Sequence, residues 1–112
     1  MTQVDPKLRE EVAELHARMC SGLADCNRIL ILYALSNGPV NVGDLTDMLA
    51  LPQPTVSRHL KVLRERGLVN AERNGQSVFY SVSDMRIIDA MDTLRAVMTD
   101  LIENQAALTR TD

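Results

Sequence analysis

Gln53-Pro-Thr-Val-Ser-Arg-His-Leu-Lys-Val-Leu-Arg-Glu-Arg-Gly-Leu68 is the stretch on which the fold turns. Val56, Leu60 and Leu63 follow the i, i+4, i+7 spacing of a buried helical stripe, with Val62 beside it. Thr55, Ser57, Arg58, His59 and Lys61 fall on the other faces, crowded into the first two turns. Pro54 suits a first-turn position, where its missing N–H leaves no intrahelical partner unmet. Gly67 can adopt the left-handed conformation that ends a helix, and Arg64 and Arg66 complement the negative end of the dipole. A short helix with donors and cations on its exposed N-terminal half matches the dimensions of a DNA major groove.

Working outward toward the N-terminus, Asn41 and Asp44 read as a capping pair for a short helix with Leu45, Met48 and Leu49 on its inner face. Leu51-Pro52-Gln53 then forms the turn into the stretch above, so residues 41–66 read as a helix-turn-helix. Before it, Asp25 caps a helix from Cys26 to about Ser36. Ile29, Leu30, Leu32, Tyr33 and Leu35 nearly fill that helix, which marks it as the central, most buried one. Asp5-Pro6 opens a first helix over residues 5–21, with Leu8, Val12, Leu15 and Met19 on one face.

Toward the C-terminus the period changes from helical to alternating. Residues 68–82 read as a β-hairpin around Asn74-Gly75, a type I′ turn signal in which both loop residues take positive φ. A hairpin directly after a recognition helix is a wing, and its tip residues Arg73, Asn74 and Gln76 are placed to reach a minor groove or phosphate. Ser83 and Asp84 start a last helix over 84–106, with Ile87, Ile88, Met91, Leu94, Val97 or Met98, Leu101 and Ile102 as a long apolar stripe. The expected fold is mainly α with one small hairpin, in the order α-α-α-α-β-β-α, as a single winged-helix domain spanning 1–112. The first and last helices leave apolar surface that a second copy would bury, which implies a twofold homodimer with two readers.

Charge supports this assignment. The 112 residues carry a net charge of −3, yet residues 53–76 hold five Lys or Arg against two Glu. The remainder holds seven basic and thirteen acidic residues, so the only basic block coincides with the candidate reader. Gln53, Arg58 and His59 are candidates for base edges, Arg58 to guanine and Gln53 to adenine. Thr55, Ser57, Lys61 and Arg73 suit phosphates. No apolar run is long enough to span a membrane and no signal peptide opens the chain, so a cytoplasmic location is expected. With His16 and His59 on different elements and no phosphate loop or nucleophile–base motif, the chain is expected not to be an enzyme.

Leu23-Ala-Asp-Cys-Asn-Arg-Ile-Leu, Asp44-Leu45, Gln53 to Arg64 and Gly67-Leu-Val resemble the arsenic-repressor (ArsR-type) family of winged helix-turn-helix regulators over roughly residues 8–103. The resemblance implies a homodimeric repressor that binds double-stranded operator DNA and is released by an inducer, often a metal or metalloid ion. The inducer positions of the family are substituted here. Asn41 and Gly43 stand where arsenic-sensing relatives carry a Cys-x-Cys pair. Arg86 stands where zinc- and nickel-type relatives follow Asp84 with a His, and Val97 to Asp100 lack the later imidazoles. The last helix also lacks the thiol that reactive-sulfur sensors place there.

Cys20, Cys26 and His16 remain as candidate ligands for As(III), Zn(II) or Cd(II), with the third ligand from His16 or from the other subunit. Two alternatives stand beside this one. The two thiols could instead answer an oxidant by forming a disulfide. The chain could also be a winged-helix dimer that only recruits other proteins, which would leave the basic block unexplained.

Overall fold

The computed structural model describes residues 3–110, with the side chain of Arg110 left out of the description. The N-terminal helix starts where the sequence places its cap: Asp5 Oδ1 accepts the Lys7 N–H at 3.0 Å ahead of α1 (Pro6–Leu15). The backbone then widens into a π-helical segment, His16–Cys20, before a last α-turn, α2 (Ser21–Leu23). Asp25 caps α3 (Cys26–Ala34), accepting from Asn27 at 2.8 Å and Arg28 at 3.3 Å. Asn41 caps α4 (Val42–Leu49) through the Asp44 N–H at 2.8 Å. All three of these caps were legible as Asx residues ahead of apolar-periodic runs.

Between α4 and α5 (Gln53–Glu65) the chain reverses without a glycine. Ala50 takes the left-handed conformation, φ 53° and ψ 43°, that glycine usually supplies at a helix C-terminus. Pro52 then precedes α5 in extended conformation, and its carbonyl accepts the Thr55 and Val56 N–H groups. Helix α5 ends at Gly67, φ +80°, where the Leu68 N–H bonds to the Leu63 carbonyl at 2.9 Å.

The wing consists of β2 (Val69–Asn74) and β3 (Ser77–Val82), paired antiparallel from Val69↔Val82 to Asn74↔Ser77. That register corrects the expected loop. The two loop residues are Gly75 and Gln76, with Asn74 inside the strand. Among the described non-glycine residues only Ala50 has positive φ, so Asn74 does not supply one half of a type I′ turn. A single positive φ at Gly75, the first loop position, is the arrangement that demands glycine in a type II′ turn. A two-residue strand, β1 (Val40–Asn41), pairs with Tyr80 and Phe79, giving sheet order β1-β3-β2. The sequence reading had no β1.

The core is built from Ile31, Leu32 and Leu35 of α3, Leu45 of α4, and Val56, Leu60 and Leu63 of α5. Leu68, Val69, Ile88 and Met91 close it. Leu30, expected inside, is 51% exposed. The last helix, α6 (Arg86–Arg110), buries only its first turns. It is tied to α3 where Tyr33 Oη donates to Asp92 at 2.7 Å and the Arg95 guanidinium lies 5.3 Å from the Tyr33 ring centroid. Farther along, Leu94, Val97, Met98, Leu101 and Ile102 remain about half exposed or more, as do Leu8, Val12 and Leu15 on α1. These are the outer parts of the two stripes assigned from the sequence to a second copy. Ile88 and Met91, expected in the α6 stripe, are instead buried in the chain's own core because the start of α6 packs on it. The arrangement of three core helices, a helix-turn-helix and a β-wing is a winged-helix fold.

Candidate nucleic-acid interface

Helix α5 divides its residues by face. Val56, Leu60 and Leu63 are fully buried, while Gln53, Ser57, Arg58 and Lys61 are exposed. Gln53, Ser57, Lys61 and Arg64 recur at i, i+4, i+8 and i+11, so they form one exposed stripe, with Arg58 on its flank. Arg64, read from the sequence as only charging the helix end, is therefore continuous with the polar stripe. Thr55 is half-buried. On the hairpin, Arg73, Asn74 and Gln76 stand exposed at the wing tip. The exposed face of α5 and the wing tip thus carry cations and amide or hydroxyl donors, the chemistry that fits phosphates and base edges.

His59 is a correction. It was expected to face DNA, but it is 6% exposed and the only buried polar residue among the described ones. Its position, one residue before Leu60 on the inner side of α5, turns the ring toward α3. There Arg28 Nη1 lies 3.4 Å from His59 Nδ1, and Asp25 Oδ1 lies 3.8 Å from His59 Nε2. A nitrogen facing a guanidinium acts as the acceptor, which places the ring proton on Nε2, toward Asp25.

Arg28 makes further contacts. Its Nε donates to the Gly22 carbonyl at 2.7 Å and its Nη2 donates to the Ser21 carbonyl at 3.1 Å. The side chain of Arg28 is 15% exposed, so these bonds form away from bulk water, where a cation needs them. Burial pushes the Asp25 carboxyl up, but the Arg28 and Asn27 backbone N–H bonds and the electrostatic pull of the His59 and Arg28 side chains outweigh it and leave the pKa lowered. The group therefore stays a carboxylate at neutral pH. No sequence pattern announced this cluster. The available signal was a single cation, Arg28, directly ahead of the apolar run Ile29–Leu35 on the most buried helix, a placement that requires partners.

The candidate inducer residues are arranged differently. Cys20 and Cys26 are free and exposed, and His16 is exposed. His16 and Cys20 sit at the two ends of the π-helical segment, whose wider turn replaces the α-helical i, i+4 spacing expected for them. Among the described residues no group of three or more His, Cys, Asp or Glu side chains is placed to hold a metal ion. The expected Cys20–Cys26–His16 ligand set is therefore not assembled within one chain. Asp84 is likewise committed: Arg86 Nη2 donates to its Oδ2 at 2.7 Å and Arg86 Nε to its Oδ1 at 3.1 Å. A guanidinium thus occupies both oxygens of that carboxylate. Among the described residues no helix is long and apolar enough to cross a membrane.

Comparison with known proteins agrees with this geometry. Residues 25–71, from the α3 cap through α5 into β2, match the family model for bacterial regulatory proteins of the arsR family. The HTH-type transcriptional regulator NmtR of Mycobacterium tuberculosis is 38% identical over 85 residues, 76% of this chain and 71% of the relative. The biofilm growth-associated repressor of Agrobacterium fabrum is 30% identical over 99 residues, covering 88% and 84%. Among solved structures, NolR from Sinorhizobium fredii superposes with a TM-score of 0.73 at 33% identity, covering 87% of this chain and 96% of the other.

Proposed function

Because the chain belongs to the arsR family of bacterial regulatory proteins, we propose that it is a homodimeric repressor that reads operator DNA with α5 and the wing. It is a regulator and not an enzyme, as its relatives are. The observation that carries the DNA reading is the exposed stripe Gln53, Ser57, Lys61 and Arg64 on the helix whose opposite face is fully buried. Arg58 and Gln53 reach base edges. Thr55, Ser57, Lys61 and the wing residues Arg73, Asn74 and Gln76 hold the backbone. Dimerisation is supported by the two apolar stripes on α1 and α6, which the rest of the described residues leave about half exposed.

Release by an inducer completes the proposal. Cys20 and Cys26 are the soft, exposed groups available to receive it. A thiophilic ion of the As(III), Zn(II) or Cd(II) kind would need at least one ligand from the second copy to reach three. Oxidation of the same thiols is the alternative route to release. A gel-shift assay with the DNA upstream of the chain's own gene tests the proposal, run against a scrambled duplex and repeated with arsenite, zinc, cadmium and oxidant. Preferential retardation of the upstream DNA, relieved by one of these agents, is the expected result. Equal retardation of both duplexes would remove the repressor assignment.

A further inference from the structure

We infer that Arg28 and His59 are positioning residues for operator reading, fixing the recognition helix α5 to the end of the N-terminal helix. The inference rests on the DNA-reading proposal above and adds residues that never touch DNA. Helix α5 presents its reading stripe on one side only, so its rotation and depth decide whether Gln53, Ser57 and Arg58 arrive at base edges together. The apolar contacts of Val56, Leu60 and Leu63 hold α5 on the core, but apolar packing is non-directional and sets rotation weakly. A hydrogen bond of defined geometry is directional, and His59 supplies the single buried polar group on α5 that can make one.

Its partner is anchored in turn. The Arg28 guanidinium uses Nε and Nη2 for the Gly22 and Ser21 carbonyls and turns Nη1 to His59. One planar group therefore fixes three points: the last turn of the N-terminal helix, α3 and α5. The planar fork makes these directions mutually dependent, which a flexible ammonium would not. Asp25 closes the cluster, 4.0 Å from Arg28 Nη1 and 3.8 Å from His59 Nε2. A displacement of the Ser21–Gly22 turn is thus delivered to α5 through one side chain. Cys20 precedes that turn directly and Cys26 follows the Asp25 cap, so both thiols flank the same anchor.

The test uses the full-length dimer and the ratio of operator affinity to scrambled-duplex affinity, measured on protein whose thermal melt shows it folded. His59→Phe keeps ring volume and burial but removes the acceptor; His59→Gln keeps an acceptor. The expected result is a loss of about tenfold or more in the ratio for His59→Phe, the order a charged hydrogen bond carries. Scrambled-duplex affinity should be unchanged, and His59→Gln should stay near wild type. Arg28→Met should lose at least as much, and adding His59→Phe to it should cost little more, because the Arg28–His59 contact is already broken. If His59→Phe does not fold, Arg28→Lys carries the comparison, since it keeps the charge and loses the fork.

A wild-type ratio in folded His59→Phe or Arg28→Met, with Arg58→Ala having lost its preference, overturns the positioning role alone. Additive losses in the double variant overturn it as well. If Arg58→Ala also keeps its preference, the DNA-reading proposal itself fails and this inference with it.

Discussion

A Cβ built on Gly22 would sit 2.5 Å from Cδ1 of Leu68, the fully buried residue that follows the glycine ending α5. The N-terminal helix is therefore in van der Waals contact with the C-terminal end of the recognition helix, through a position that admits no side chain. Gly22→Ala must displace Leu68, which is enclosed, at a cost of about 1–3 kcal/mol for overpacking. The gain in helix propensity, about 1 kcal/mol, offsets only part of this. A lower Tm is expected, by about 4–8 °C for each 1 kcal/mol of net loss in a domain of this size. A Tm equal to or above wild type in a thermal melt would show that the contact is not close in solution.

Arg58→Ala and Lys61→Ala should separate specificity from affinity. Arg58 is assigned to a base edge, so its loss should remove about 1–3 kcal/mol of operator preference. Lys61 is assigned to a phosphate, so its loss should weaken operator and scrambled DNA alike and reduce the salt slope by about one. Equal effects of the two variants on both duplexes in a salt-titrated binding assay would contradict the division.

The helices and their caps were readable because capping is local: Asp5, Asp25 and Asn41 each reach a backbone N–H two or three residues on. The basic helix and wing were readable because the 3.6 and 2.0 periods differ. What escaped were placements set by tertiary contacts. His59 looked like one more polar residue near the start of α5, and only the packing of α3 against that helix turns it inward toward Arg28. The inter-helix turn was read at Leu51-Pro52-Gln53, but its left-handed residue Ala50 was not, because an alanine in that conformation carries no sequence signal. The hairpin loop shifted by one residue because strand register follows pairing with β3, which places Asn74 opposite Ser77. For the same reason β1, only two residues long and stabilised by β3 alone, had no pattern of its own.

Asp84 offers a pH signature. The Arg86 side chain, then its backbone N–H, bond to the carboxylate and hold its pKa at about 2, below the ordinary 3.8. A folded-state value below the unfolded one means the pair's stabilisation is present above pH 3.8 and is lost as pH falls toward 2. The pair lies at the surface, so its energy is small. Arg86→Ala should move Asp84 upward in a carboxyl-resolved NMR titration, only part of the way to the usual carboxylate range because the residue-86 backbone N–H still donates to it. An unchanged midpoint in that variant would show that Arg86 is not the cause.

Cys20→Ser and Cys26→Ser should leave operator binding unchanged, since neither residue lies on α5 or the wing. Either substitution is expected to abolish release by whichever agent lifts the wild-type protein from its operator. Should the double serine variant still be released by that agent, the signal enters elsewhere.

The apolar stripe of α6 makes the strongest structural demand. Leu94 is 65% exposed and Leu101 57%, on a helix that runs to Arg110 well beyond its contacts with the core. A chain left alone would hold more than half of each of these side chains in water, where each forgoes roughly 1–2 kcal/mol of burial. In a twofold dimer each substitution acts twice, once per copy. Leu94→Glu together with Leu101→Glu should therefore leave the monomer's circular dichroism intact, because neither residue contributes to the core. The same variant should sediment as a monomer and lose operator binding more steeply than scrambled binding, since two linked readers become two separate ones. A double-glutamate variant that remains dimeric would move the interface off α6.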